Sequence, residues 1–364
     1  MKIAVIGLRG IPDVQGGIET HCQHLYPYIA ADGHDVYIFR RNRYVERSKS
    51  LKEWKGIKLI DLPAPHNKYA ENIVHSFLSI IKAKHLKADV VHIHGIGPAL
   101  LSPLAKILGM KVVLTHHGRN YHHQKWGKWA RKALKMGEKT GLKKSNAVIC
   151  VSEDIYRSIS GTELTGKTSY IPNGFTAFGK VEKQDYIEEA GLSNTPFILA
   201  VGRLIEEKGY HDLVAAFKKA SLPADFRLVI AGDNDFNSAY TRRLIEEADE
   251  RVIFTGRLPH HKIAQLYSAA SAFALSSYHE GLPIVLLEAM SFSLPLIVSD
   301  IPANRLPEVP PEAFYHVGDV EQLAKKIEQT AADPQPRQYN LDNYRWDVIA
   351  DKTSRIFTTI VNND

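Results

Sequence analysis

The stretch SSYHEGLPIVLLEAM, residues 276 to 290, follows the apolar run AFALSS and combines two carboxylates with the start of a helix. Gly281 lets backbone approach a ligand closely, Leu282 follows it, and Pro283 suits the first turn of a helix running through Ala289. Free amides at such a helix start suit a diphosphate. Glu280 precedes this helix and Glu288 lies within it, so one carboxylate is expected to meet a sugar and the other the hydroxyls of a ribose. Upstream, FILAVGR ends in Arg203, and Lys208 follows in GRLIEEKGYHDLV. Both cations are expected at the carboxyl end of a strand, where a departing diphosphate needs its charge neutralised. Arg203 offers a planar fork and Lys208 a point charge. The plainer alternative is ion pairing with Glu206 and Glu207.

Three further groups are weaker signals. Gly16 and Gly17 sit in the loop GLRGIPDVQGG after the first apolar run, where missing side chains would admit a diphosphate or a sugar, although a turn explains them equally well. His116 and His117 close the run KVVLTHH and are either cleft-lining or structural. With His122 and His123 they suggest zinc, yet no Cys or Glu accompanies them at a recognised ligand spacing. Asp233 and Asp235, flanking Asn234, form a D-x-D after VIAG that could hold a metal, but as a polar loop at a strand end they need none. No metal is expected.

The elements that must position these residues follow one rhythm. KIAVIG, DVYIF, DVVHIHG, KVVLTHHG and AVICVS are short β-branched runs, each followed by a longer stretch: 18 to 32, a basic segment, 97 to 108, and 124 to 144. Strands spaced by helical patterns predict βαβ units and a parallel sheet. After IPNGF the rhythm pauses, then restarts with FILAVGR, FRLVIAG, RVIFTG, AFALSS and PLIVSD. The fold class is therefore α/β with two facing doubly wound, Rossmann-like domains, and ligands at the carboxyl ends of the strands. We expect domains at 1 to 175 and 176 to 344, with a closing helix at 345 to 364 that packs back on the first domain. No G-x-G-x-x-G follows the first strand, which argues against a two-domain dehydrogenase.

A chain of 364 residues suits two cores, and 44% hydrophobic with 24% charged residues excludes a disordered or fibrous class. The opening MKIAVIG meets Gly7 and Arg9 too soon for an export signal. Cys22 and Cys150 are then expected to be free buried thiols in a cytoplasmic protein. Residues 1 to 178 hold 27 lysines and arginines against 13 acidic residues, while the rest holds 19 against 27. The first half is thus expected to face an anionic surface or substrate. Eight of its cations lie between 122 and 144, with Trp126 and Trp129 spaced to share a helical face with Ala133 and Met136, the pattern of a reversible anchor on anionic lipid. Arg40, Arg41, Arg43, Arg47, Lys49 and Lys52 are expected to add to that surface. The alternative is that both tryptophans are core.

Taken in order, the GG pair at Gly16 and Gly17, HG at His117, IPNG at 171 to 174, VGRLIEEKG, VIAGDN, FTGRLPHHKIAQLYSAA and the E-x7-E pair make the chain resemble glycosyltransferase family 4, retaining transferases of GT-B fold. The resemblance spans nearly the whole sequence. It implies that Glu280 contacts the donor sugar, Glu288 the ribose, and Arg203 with Lys208 the diphosphate, while the nucleobase lies beside Arg257 and Leu258. It implies that His117 is the active-site histidine near the donor sugar, with a shift to His116 left open. It also implies transfer of a hexose-type sugar from a nucleotide-sugar donor, which is a substrate and not a cofactor, to a glycan or lipid-linked acceptor. The GGIETH opening resembles bacterial surface-polysaccharide transferases. The rivals are a sugar-nucleotide epimerase of the same fold and a polyanion-binding module. The second is disfavoured because the basic residues lack an RNA-type aromatic platform, so no nucleic-acid partner is expected.

Overall fold

The computed structural model describes residues 1–45, 51–67, 70–119, 121, 127–176, 181, 183–233 and 238–362. The chain forms two compact units, one of Met1–Gly174 with Asp342–Asp364 and one of Phe175–Leu341.

The first unit is built on an eight-stranded sheet: β1 (Lys2–Ile6), β2 (Asp35–Arg41), β3 (Glu53–Trp54), β4 (Ile57–Leu62), β5 (Val90–His94), β6 (Lys111–His116), β7 (Ala147–Cys150) and β8 (Thr168–Tyr170), in the order β3-β4-β2-β1-β5-β6-β7-β8. All its pairings are parallel except the short β3–β4 hairpin. Helices α1 (Gly17–Ala31), α2 (Glu71–His85), α3 (Ser102–Ile107), α4 (Lys128–Lys144) and α5 (Glu153–Ile159) alternate with the strands. Both faces of such a sheet are covered, which is why its strands read as unbroken apolar runs. All five residues of β5, VVHIH, are buried, its two histidines included.

The second unit contains α6 (Asp185–Glu189), β9 (Phe197–Val201), α7 (Tyr210–Lys219), β10 (Arg227–Ala231), α8 (Ala239–Glu247), β11 (Val252–Gly256), α9 (His260–Ala269), β12 (Ala272–Leu275), α10 (Ile284–Ser291), β13 (Leu296–Ser299), β14 (Phe314–Tyr315) and α11 (Val320–Ala332). Its all-parallel sheet runs β11-β10-β9-β12-β13-β14. This is the doubly wound order, in which the winding reverses between β9 and β12. Phe217, Phe226, Leu213, Ile230 and Leu323 lie in its core. The two parallel sheets are the architecture that the strand–helix rhythm predicts. The closing helix α12 (Trp346–Asn362) belongs to the first unit, where it packs on α1 and sets Phe357 against the His92 ring.

Three local expectations are corrected. Among its described residues the basic segment after β2 holds no long helix before α2: they contain a turn at Asn42–Tyr44 and the β3–β4 hairpin, and Ile57 and Leu59 alternate into the core. Arg40 and Arg41 are not surface cations. Arg40 is buried with its guanidinium on Asp61 and the Ile11 carbonyl, and Arg41 meets Glu71 and Asn72. Arg43 also turns to Glu71, while Arg47 and Lys49 lie outside the described residues. Finally, Pro283 is the residue before α10 and not within its first turn, with φ −73° already near helical.

Candidate functional site

In the second unit the winding reverses at β9 and β12, and a ligand of a doubly wound sheet binds beyond the carboxyl ends of such a strand pair. The loops leaving those two strands carry Arg203 and Glu280. Arg203 is half-buried, and its guanidinium has no hydrogen-bond or ion-pair partner among the described residues. Lys208 does not pair with Glu206 or Glu207. Its ammonium lies 2.5 Å from Oε1 of Glu280, which also accepts from the Ser277 hydroxyl at 2.6 Å. The loops are further stitched by Ser276 Oγ donating to the Lys208 carbonyl and the Tyr278 amide donating to the Glu207 carbonyl. Gly209 makes that approach possible: it adopts φ 64°, and a Cβ there would stand 2.1 Å from the Ser276 oxygen.

Gly281, Leu282 and Pro283 lead from this cluster into helix α10, which has no side-chain cap and no acidic residue in its first turn. The positive end of its dipole is thus left for an anion. Glu288, on the same helix, is 5% exposed and accepts from the Tyr267 hydroxyl at 3.2 Å. Burial pushes its carboxyl up to about 7, against the smaller opposing pull of that hydrogen bond. Arg257 and Leu258 follow β11, two strands away from β9 along the same carboxyl edge. Asp233 follows β10 and is exposed, while Asn234 and Asp235 lie outside the described residues.

The first unit gathers different chemistry. Strand alternation sends His116 and His117 to opposite sides. His116 is buried and its Nε2 meets Glu138 of α4 at 2.9 Å, tying strand to helix. His117 Nε2 lies 2.9 Å from His94 Nδ1, and its ring stands edge-on to His21 of α1 at 4.9 Å. Burial, reinforced by the neighbouring imidazoles, holds both His94 and His117 well below the usual histidine range. Burial likewise lowers His21 to about 4, although its bond to Asn173 works the other way.

Gly16 and Gly17 begin α1 on the same side of the sequence as His21. Open space surrounds the position a Gly17 Cβ would take, while the Glu19 carboxylate occupies the one beside Gly16. His122 and His123 lie outside the described residues.

Sequence reasoning missed His21, His92, His94, Tyr26 and the purpose of IPNG. Asn173 bonds His21 Nδ1 at 3.0 Å, and Gly174 faces the Trp346 indole, which a Cβ would approach to 2.4 Å. The motif therefore joins the end of the first domain to α1 and α12. The only signal in the sequence was the period-two pair His92 and His94 inside an apolar strand. Both cysteines are buried and free.

The model for glycosyl transferases group 1 matches residues 182–345, and that for Glycosyltransferase Family 4 matches residues 15–176. The alpha-maltose-1-phosphate synthase of Mycolicibacterium smegmatis is 29% identical over 412 residues, covering 99% of this chain and 100% of that protein. A Bacillus subtilis protein named for teichuronic acid biosynthesis, the glycosyltransferase TuaC, is 29% identical over 251 residues, covering 65% of this chain and 58% of that protein. Among solved structures, a sucrose-phosphate synthase from Thermosynechococcus elongatus superposes with a TM-score of 0.83 at 25% identity over 100% of both chains. With both halves matched in order and the doubly wound sheets in place, the chain belongs to the glycosyltransferases of family 4 type and GT-B fold.

Proposed function

We propose that this enzyme moves a hexose-type sugar from a nucleoside-diphosphate sugar to a glycan or lipid-linked acceptor, with retention at the anomeric carbon, in bacterial surface-polysaccharide synthesis. The observation that carries the reading is the gathering of Arg203, Lys208 and Glu280 on the loops of the two strands where the second sheet reverses its winding. Arg203 and Lys208 take the diphosphate, the start of α10 at Gly281, Leu282 and Pro283 adds its amide dipoles, and Glu288 takes the ribose. Arg257 and Leu258 border the base. Lys208 exchanges Glu280 for phosphate when donor binds, which frees Glu280 to hold the transferred sugar. Gly16, Gly17 and His117 serve the sugar side. Attack on the same face, with the departing phosphate taking the acceptor proton, makes stabilisation of that phosphate the main electrostatic contribution. No metal cofactor enters this reading, and a chelator is expected to leave turnover intact. The relative named for teichuronic acid biosynthesis supports the polysaccharide setting.

The acceptor side is expected to work at the inner face of the membrane. Trp129 is 84% exposed on α4 beside Lys128, Arg131, Lys132 and Lys135, with Met136 also outward, so the described tryptophan is not core. Trp126 lies outside the described residues. No described helix is long and apolar enough to cross a membrane, and surface docking is the mode this helix suits. Cosedimentation with anionic but not neutral vesicles, weakened by charge reversal at Lys128, Arg131 and Lys135, is the expected result. Binding to neither would leave a soluble acceptor. The transferase reading itself is tested by offering UDP-, GDP- and dTDP-sugars with and without acceptor. Stabilisation by one donor and acceptor-dependent release of its nucleotide is expected, whereas epimerisation without acceptor would replace the reading.

A further inference from the structure

We propose that His21, His94 and His117 form a binding site for a late transition-metal cation of the Zn²⁺ class, and that an ion held there inhibits the enzyme by occupying His117. The inhibitory half rests on the role proposed above for His117. The site itself does not.

The three imidazoles come from three elements, α1, the end of β5 and the residue after β6, and one ring nitrogen from each lies within 4.8 Å of the others. His21 is 3% exposed, and its Nε2 is buried without any hydrogen-bond partner. A buried polar atom left unpaired is uncommon and calls for an explanation. Its other nitrogen supplies one. Nδ1 meets the Asn173 amide oxygen, which can only accept, so the proton sits on Nδ1 and Nε2 is a bare lone pair.

The outer side of His94 is held in the same way. Its Nε2 lies 2.6 Å from the Tyr26 hydroxyl, which lies 2.7 Å from His92 Nδ1, while His92 Nε2 lies 2.6 Å from Thr115 Oγ1. One polarity satisfies every member of that chain while sparing His94 Nδ1. His94 Nε2–H donates to Tyr26, Tyr26 donates to His92, and His92 Nε2–H donates to Thr115. Both ligands are then backed by outer partners of the kind that orient metal-binding histidines.

The inner spacing also suits an ion. Zinc–nitrogen bonds of about 2.0–2.1 Å at a tetrahedral angle place ligand nitrogens roughly 3.3 Å apart. The His94 Nδ1–His117 Nε2 pair, now at 2.9 Å, need open only slightly as the shared proton moves to the other nitrogen of His117. Three neutral nitrogen ligands without a carboxylate select Zn²⁺, Ni²⁺ or Cu²⁺ over Mg²⁺, Ca²⁺ or Mn²⁺. Among the three, His117 alone retains partial exposure, which leaves an entry path.

The test uses full-length protein stripped with chelator and titrated with Co²⁺, whose visible absorption reports a tetrahedral site, and with Zn²⁺ by calorimetry. One equivalent is expected to bind. His21→Gln and His94→Gln, each checked for folding by circular dichroism, should lose the site, and Tyr26→Phe should weaken it roughly 10- to 100-fold. His85→Ala, on an exposed helix end, should change nothing. Absence of stoichiometric binding, or unchanged binding by both glutamine variants, overturns the site. Zn²⁺ should inhibit wild-type sugar transfer reversibly. Zn²⁺ bound at these histidines with transfer unaffected overturns the inhibitory half and removes His117 from the reaction. Failure of metal-free protein to transfer any sugar counts against the proposed function and leaves the binding result standing.

Discussion

The two clusters differ in how they keep reactive groups available. In the second unit, charge is kept with partial solvent access: the Arg203 guanidinium is unpaired among the described residues, and Lys208 rests on Glu280 in a part-buried ion pair beyond the ends of β9 and β12. In the first, the groups are neutral and buried, and their state is set by the hydrogen bonds they donate to Asn173 and Tyr26. On the roles proposed above, the difference is the one expected between a site that takes up a dianion from water and one that holds uncharged imidazoles in place. A charged residue waiting for phosphate keeps solvent access, because full desolvation without a partner would cost several kcal/mol. A histidine that positions or ligates loses little by burial if its outer nitrogen is satisfied.

Glu280→Ala is the sharpest way to break the comparison. Transfer should fall below detection while nucleotide-diphosphate affinity holds or rises, since Lys208 loses its internal counter-ion and becomes freely available. Isothermal titration beside a turnover assay decides it: equal loss of nucleotide affinity would remove Glu280 from the sugar. Next in size are Arg203→Ala and Lys208→Ala, each expected to cost roughly 10²- to 10³-fold in turnover by analogy with lost oxyanion donors. Donor binding should weaken too, because phosphate charge is present in the ground state as well. A variant with unchanged kinetics lies outside the site.

For the neutral cluster, His117→Ala should lower turnover about tenfold or more with little change in nucleotide affinity, a split read from kcat and nucleotide Kd. His116→Ala should act differently. It removes the buried partner of Glu138, which keeps Arg119 and Tyr121, and is expected to cost about 1 kcal/mol of stability, seen as a lower Tm. A larger kinetic effect from His116 than from His117 would reverse the assignment.

What the sequence made legible follows from the same contrast. Arg203, Lys208 and Glu280 stand just past apolar strands, where a change from buried to charged marks a carboxyl edge. Five strands of each sheet were likewise legible as short apolar runs, whereas β3, β8 and β14 span only two or three residues and β4 lay hidden in the basic segment. The Lys208–Glu280 pair was not legible, because it joins residues 72 apart through the adjacency of β9 and β12. Nor was the histidine cluster. His94 pairs in register with Thr115, which brings His117 near the end of β5, and that register is a property of the assembled sheet. Arg40 misled for a related reason: its charge suggests a surface, and its burial rests on partners distant in sequence, Asp61 on the neighbouring strand β4 and the Ile11 and Leu51 carbonyls.

The effect expected at Glu288 is the most specific to environment. Glu288 is a buried acid raised to about 7 by desolvation, from 4.5 for a free side chain. Because the folded protein resists ionising it and the unfolded chain does not, stability is fully present below the unfolded value. It is lost as pH rises through the folded one, and the loss levels off above about pH 7. The interval corresponds to about 3 kcal/mol. Glu288→Gln removes the titrating group, so its stability relative to wild type should rise across the same window, as denaturant midpoints at pH 5 and pH 8 would show. Nucleotide binding should run the opposite way. An ionised carboxylate accepts ribose hydroxyls better than a neutral one, so wild-type affinity should increase by up to about tenfold per pH unit below pH 7 and then flatten. The glutamine variant should show neither slope. A stability slope without a binding slope would keep Glu288 as a buried acid of the second unit and take it away from the ribose.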